Sequence, residues 1–198
     1  MPTLVVPFRG AEGKSRLELP APARAALVRA MLADVVAACA AVGPTFVVTP
    51  GDIALAGATV VVDRARGQGA AVRTGLDAVV AAGGSPPVLV VNADLPCATP
   101  RDLLALAGAV PADGPALALA PAADGTTNAL AFASADLFIP LYGPGSAARY
   151  AALAPSLVVE SPNLMDDVDT VADLERLELR LGPQTRRLLA FLRAGIAA

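Results

Sequence analysis

The chain has 198 residues, with 14 Arg and one Lys against 13 Asp and 5 Glu, a net charge of −3, and neither His nor Trp. The absence of imidazole excludes Ser-His-Asp and Cys-His nucleophilic systems, histidine general bases and histidine-ligated zinc, and two cysteines cannot complete a thiolate zinc site. Chemistry is left to carboxylates, arginines, backbone amides, hydroxyls and Lys14.

Residues 3 to 6 (TLVV) read as a short buried strand, with no basic segment ahead of a long apolar core, so no export signal is expected. The loop that follows, VPFRGAEGKSRL over 6 to 17, gathers Arg9, Gly10, Lys14 and Arg16. Against the phosphate-loop pattern G-x-x-x-x-G-K-[ST] its GKS end fits, but Phe8 stands where the opening glycine belongs. Pro20 and Pro22 also interrupt the long helix that such a lysine should open. What remains is a basic, glycine-containing loop suited to a phosphate chain.

From 23 to 42, Leu27, Val28, Met31, Leu32, Val35, Val36 and Cys39 recur at helical spacing, stopped by Gly43 and Pro44. Arg24, Arg29 and Asp34 break this apolar stretch, which makes it an amphipathic helix and not a membrane span. FVVTP (46–50) and TVVVD (59–63) are β-branched runs of the kind buried on both sheet faces, with a short helical turn expected between them. After the RARGQG loop, Val72, Leu76, Val79 and Val80 mark a second helix closed by Gly83 and Gly84.

VLVVNADLP (88–96) is the clearest central strand and ends on Asp94, a position that suits a hard divalent cation. A helix near 100–109, with Pro96 and Thr99 nearer than Asp94 to its start, strands near 116–120 and 129–133, and a YGPGS turn opening a helix come next. A strand at 157–160 and two C-terminal helices split at Gly182-Pro183 complete the chain. Strands alternating with helices imply an α/β fold with a mostly parallel central sheet, helices on both faces, a single domain, and ligands at the carboxyl ends of the strands.

Asp166-Asp167-Val168-Asp169-Thr170 precedes the first of those last helices. In an extended segment Asp167 and Asp169 point to the same side, where two like charges call for a cation or a shared proton. Thr170 and Asp173 suit the helix start. DGTTNALAF (124–132) and YGPGS (142–146) place Thr127, Gly143 and Ser146 in turns able to bind an anion through amides and hydroxyls. No basic run or aromatic ladder argues for nucleic acid. Cys39 and Cys97 suggest a reducing, cytoplasmic setting. Cys97 directly follows ADLP and is either a pocket or a packing residue. The 45 alanines point to close helix packing.

Together, VPxxxxxxKSRL, ADLP, DGTTNAL, YGPxS and DVDTxxDL resemble the 2-phospho-L-lactate and phosphoenolpyruvate guanylyltransferases of coenzyme F-420 biosynthesis. More distantly the chain is similar to molybdopterin and sugar-phosphate nucleotidyltransferases. The resemblance spans residue 4 to about 187 and implies a Rossmann-like nucleotidyltransferase fold. It implies transfer of GMP from GTP to a small phosphorylated carboxylic acid, with phosphoenolpyruvate favoured by the likeness to bacterial members and 2-phospho-L-lactate or 3-phospho-D-glycerate as alternatives.

Carried over, it puts the acceptor on Thr127, Gly143 and Ser146 and Mg²⁺ on Asp94, Asp167 and Asp169. Arg9, Gly10, Lys14 and Arg16 fall on the nucleotide phosphates, with Lys14, Arg16 and Asp94 catalytic. Gln68, Gly69 and Arg73 match the base-side loop, although Val72-Arg73 stands where relatives commonly carry Leu-Asn. Val171 stands where the wider pattern has Pro. A downstream F-420 biosynthetic transferase is the implied partner, and the low charge fraction permits a homodimer. A non-catalytic nucleotide-binding module on the same fold is the rival from another class; its difficulty is the self-repelling carboxylate cluster.

Overall fold

The computed structural model describes residues 1–10, 14–51, 53–63 and 67–196. Residues 11–13 of the first loop, residue 52 of the segment after the second strand and residues 64–66 of the RARGQG loop lie outside them. Seven strands form one sheet: β1 (Thr3–Pro7), β2 (Thr45–Thr49), β3 (Thr59–Val62), β4 (Val88–Val91), β5 (Leu117–Pro121), β6 (Thr127–Phe132) and β7 (Ser156–Val158). Their order is β3-β2-β1-β4-β6-β5-β7. Every pairing is parallel except those of β6, which runs against both β4 and β5.

The helices are α1 (Ala21–Ala40), α2 (Gln68–Ala81), α3 (Pro100–Gly108), α4 (Ser146–Ala151), α5 (Pro162–Met165), α6 (Val171–Leu177) and α7 (Pro183–Ile196). No helix among the described residues is long and apolar enough to cross a membrane.

The inner strands β1, β2, β4 and β6 are buried along their whole length, the first three as β-branched-rich runs covered on both faces should be. Alternation then divides the core. Leu4, Val6, Leu89 and Val91 face α1, α3 and the C-terminal helices, while Val5, Val88 and Val90 face α2 and α4. In β5 and β6 the first face is alanine (Ala118, Ala120, Ala129, Ala131) and the second is bulky (Leu117, Leu119, Leu130, Phe132). Alanine on the strands therefore lets helices lie close to the sheet. On α2, Gly75 does the same: a Cβ there would stand 2.4 Å from Val5 Cγ1.

Element boundaries differ from the sequence reading in informative places. The first long helix starts at Ala21, with Pro22 in its first turn, where a missing N–H costs nothing. Lys14 leads only into a 3₁₀ turn, Ser15–Leu17, which ends on Glu18 with φ 49°. This fits the prolines' case against a phosphate-loop helix. Between β2 and β3 the described residues form a turn at Ala56-Gly57 and no helix. β6 begins at Thr127, two residues early, after an irregularity between Ala120 and Pro121. The short helix α5 has no counterpart in the sequence reading, because four residues are too few to show periodicity.

Candidate active site

β1 and β4 are neighbours from which the chain moves outward in opposite directions, the crevice where parallel α/β sheets place ligands. A cleft of about 240 Å³ opens there, lined by Phe8, Arg9, Gly10 and Lys14 after β1, by Asn92, Ala93 and Asp94 after β4, and by Gln68 at the start of α2. A smaller cavity of about 180 Å³ shares Arg9 and adds Thr49 and Asp63 from the ends of β2 and β3 and Gly67 and Ala71 from the start of α2.

The segment after α5 reaches the cleft through a backbone bond, Val168 N–H to Asp94 C=O at 3.0 Å. This brings Asp94, Asp167 and Asp169 together, with one oxygen from each within 4.8 Å of the others. Lys14 stands among them: its ammonium donates to Asp94 Oδ2 at 2.7 Å, Asp169 Oδ1 at 2.5 Å and the Val168 carbonyl at 2.8 Å. Those acceptors match its three N–H groups. Arg16 reaches the other Asp169 oxygen at 3.4 Å.

Burial works against the Lys14 charge, but Asp94 and Asp169 outweigh it and hold the pKa above the ordinary 10.5. Asp167 is raised too, which for a carboxylate disfavours the charged form: burial first, then the charges of Asp94 and Asp169, push it up. The capping box of Thr170 and Asp173 starts α6 just beyond, and that of Thr99 and Asp102 starts α3, so neither helix uses the clustered carboxylates as its cap. The donor set fits a hard divalent cation: three converging carboxylates, with Asp94 Oδ1 buried and lacking a hydrogen-bond partner.

The residues that the resemblance puts on the acceptor lie one step away. Asn92 takes a hydrogen bond from Gln68 Nε2 at 2.7 Å and gives one to the Thr127 carbonyl at 3.2 Å. The hydroxyls of Thr127 and Ser146, both buried, meet at 3.0 Å, and Ala147 N–H reaches Gly125 C=O at 3.2 Å, joining the two turns. Hydrogen bonds from Thr126, with a smaller contribution from the charge of Arg16, hold Asp124 below the usual carboxylate range.

Arg9, Gly10, Lys14, Gln68 and Asp94 thus share the cleft. Gly69 instead packs on Pro140, where a Cβ would stand 2.5 Å from the ring's Cβ. Arg73 lies over the Phe138 ring at 5.1 Å and donates to the Phe138 carbonyl, away from the cleft lining. Cys97 is a core residue, 2% exposed, whose thiol burial pushes up to about 11. Asn92 was not singled out in the sequence. A polar residue closing an apolar strand just before Ala93-Asp94 was its one signal.

The family model for the MobA-like NTP transferase domain matches residues 22–154. A phosphoenolpyruvate guanylyltransferase of Thermomonospora curvata is 39% identical, covering 95% of this chain and 88% of its own. One of Salinispora arenicola is 37% identical, covering 94% and 92%. Among solved structures, a Desulfovibrio desulfuricans G20 protein named as a nucleotide-diphospho-sugar transferase superposes with a TM-score of 0.71 at 17% identity, over 98% of this chain and 95% of that one. A 4-diphosphocytidyl-2C-methyl-D-erythritol synthase gives 0.61 at 16%, over 90% and 98%. These two likenesses show the fold alone. The chain is a nucleotidyltransferase of the MobA-like NTP transferase family and belongs with the phosphoenolpyruvate guanylyltransferases.

Proposed function

We propose that the protein transfers GMP from GTP to phosphoenolpyruvate, releasing pyrophosphate, as a cytoplasmic step of coenzyme F-420 biosynthesis whose product passes to a downstream transferase. The observation that carries the reading is the convergence of Lys14, Asp94, Asp167 and Asp169 beside the Thr127–Ser146 pair, across Asn92. The relatives' names support the choice of substrates.

In the reaction an acceptor phosphate oxygen forms a bond to the α-phosphorus of GTP, and the bond from that phosphorus to the β-bridging oxygen breaks. A phosphate monoester is already ionised at neutral pH, so no general base is required, in keeping with a chain that has no histidine. The demand on the protein is to bring two anions together and neutralise them. Arg9 and Gly10 would receive the triphosphate. Lys14 and Arg16 would balance charge on the departing pyrophosphate, and Gln68 would lie on the nucleotide side, with Asn92 fixing its amide. Thr127, Gly143 and Ser146 would orient the acceptor. Asp94, Asp167 and Asp169 would hold Mg²⁺, which when bound neutralises phosphate charge and polarises the α-phosphoryl group.

The test is pyrophosphate release from GTP or ATP with phosphoenolpyruvate, 2-phospho-L-lactate and 3-phosphoglycerate, with and without Mg²⁺, followed by mass spectrometry of the product. Mg²⁺-dependent release with GTP and phosphoenolpyruvate, yielding one diphosphate-linked adduct, is expected. Release with no acceptor of the three would overturn the reading in favour of a sugar-phosphate or molybdopterin substrate or a non-catalytic module.

A further inference from the structure

Arg149, on α4, sends its guanidinium back along the turn that precedes the helix. Nη1 donates to the Pro144 carbonyl at 2.7 Å, and Nη2 to Leu141 at 2.8 Å, Tyr142 at 3.4 Å and Gly143 at 3.5 Å. Four successive carbonyls converge on one cation. In a trans peptide the N–H points opposite the C=O, so the amides of Tyr142, Gly143 and Gly145 are turned away from Arg149; Pro144 has none.

The backbone that allows this is left-handed at Gly143 (φ 107°) and Gly145 (φ 70°), and a Cβ on Gly143 would meet nothing within 4 Å. Among the described residues, the neighbouring amides are used internally, Ser146 N–H on Gly143 C=O and Ala147 N–H on Gly125 C=O. The three amides turned away from Arg149 make no such bond.

We propose that Arg149 is the positioning residue of the acceptor loop, an inference that rests on the acceptor reading for Gly143 and Ser146. It fixes the carbonyls behind the loop, presents the amides of Tyr142, Gly143 and Gly145 to an anionic group of the acceptor, and adds its own charge to the peptide dipoles from behind. An anion on the amide side is then favoured without a mobile cationic side chain touching it. This complements the cleft, whose lining cations Arg9 and Lys14 both come from the first loop.

The experiment compares Arg149→Ala and Arg149→Lys with the wild type in Mg²⁺, measuring kcat, the KM of GTP, the KM of phosphoenolpyruvate and the melting temperature. The acceptor KM of Arg149→Ala should rise about tenfold, the equivalent of ~1.4 kcal/mol, with the KM of GTP unchanged. Added guanidinium ion should lower that raised KM and leave the wild type unaffected. Arg149→Lys should fall between, since an ammonium cannot span four carbonyls, and it carries the test if the alanine variant fails to fold.

An unchanged acceptor KM overturns the proposal. So does a parallel rise in both KM values with a lower melting temperature and no response to guanidinium, which would make Arg149 a structural brace. Wild-type protein inactive with all three acceptors sinks the substrate reading and this inference with it, whereas an active wild type with an unmoved variant sinks the inference alone.

Discussion

At the scale of single residues the site is a contest of charges. Three carboxylates converge, and the one ammonium among them bonds two, Asp94 and Asp169. Both Lys14 and Asp167 are raised, which favours the charged form of the lysine and disfavours that of the carboxyl left without it. Replacing Asp169 by Asn removes one charge while keeping shape. Turnover should drop by roughly 10²- to 10³-fold, the scale for losing one preorganised electrostatic contact, with the melting curve little changed. Steady-state kinetics beside circular dichroism checks this, and near wild-type turnover would remove Asp169 from the proposed metal ligands.

The carboxylates were legible in the sequence because polar residues are scarce, Asp94 ends an apolar strand and Asp167 and Asp169 stand two apart. The partner of Lys14 was not legible: Asp94 and Asp169 are 80 and 155 residues away, and spacing says nothing about such encounters. Arg73 shows the same limit. Helical periodicity gives its face on α2 but not the Phe138 loop packed against that face.

Among elements, α1 and α7 illustrate how a helix end is completed by a distant one. Asp34, buried on α1, accepts from Gln184 N–H at 2.9 Å and Thr185 N–H at 2.8 Å, capping the first turn of α7. Gly182 makes room, since a Cβ there would stand 2.3 Å from Asp34 Cγ. The sequence showed Gly182-Pro183 as a break but not what the glycine clears. Asp34→Ala should cost about 2 kcal/mol, as a strong N-cap does, lowering the melting temperature by about 4–8 °C for a domain of this size. Turnover per folded molecule should be retained. An unchanged melting temperature by calorimetry would show that the cap is replaceable.

For the molecule as a whole, acid stability follows from carboxylates held low. Burial alone would raise Asp102, but hydrogen bonds from Thr99, Asn163 and Ser161 outweigh it and keep the group below its ordinary 3.8. A carboxyl lowered on folding contributes stability above the unfolded value and loses it as pH falls through the folded one. Melting temperature should therefore decline as pH drops below about 4. The acid limb should be shallower in Asp102→Asn. Thermal melts from pH 6 to 3 check this, and identical limbs would remove Asp102 from the account. The bonds from Ser161 and Asn163 also moor α3 to the stretch leading into Asp166–Asp169, so acid should loosen the approach to the cleft as well.

The reversed strand β6 has a consequence for how such a molecule can change. Because it delivers Thr127 from its beginning, the residues proposed for the acceptor, Thr127, Gly143 and Ser146, fall within one uninterrupted stretch, 124–146. The first loop and the ADLP turn are complete by residue 96. On the proposed reading the two substrates are met by separable lengths of chain, so a graft of that stretch from a relative with another acceptor should alter the acid accepted and leave the choice between GTP and ATP untouched.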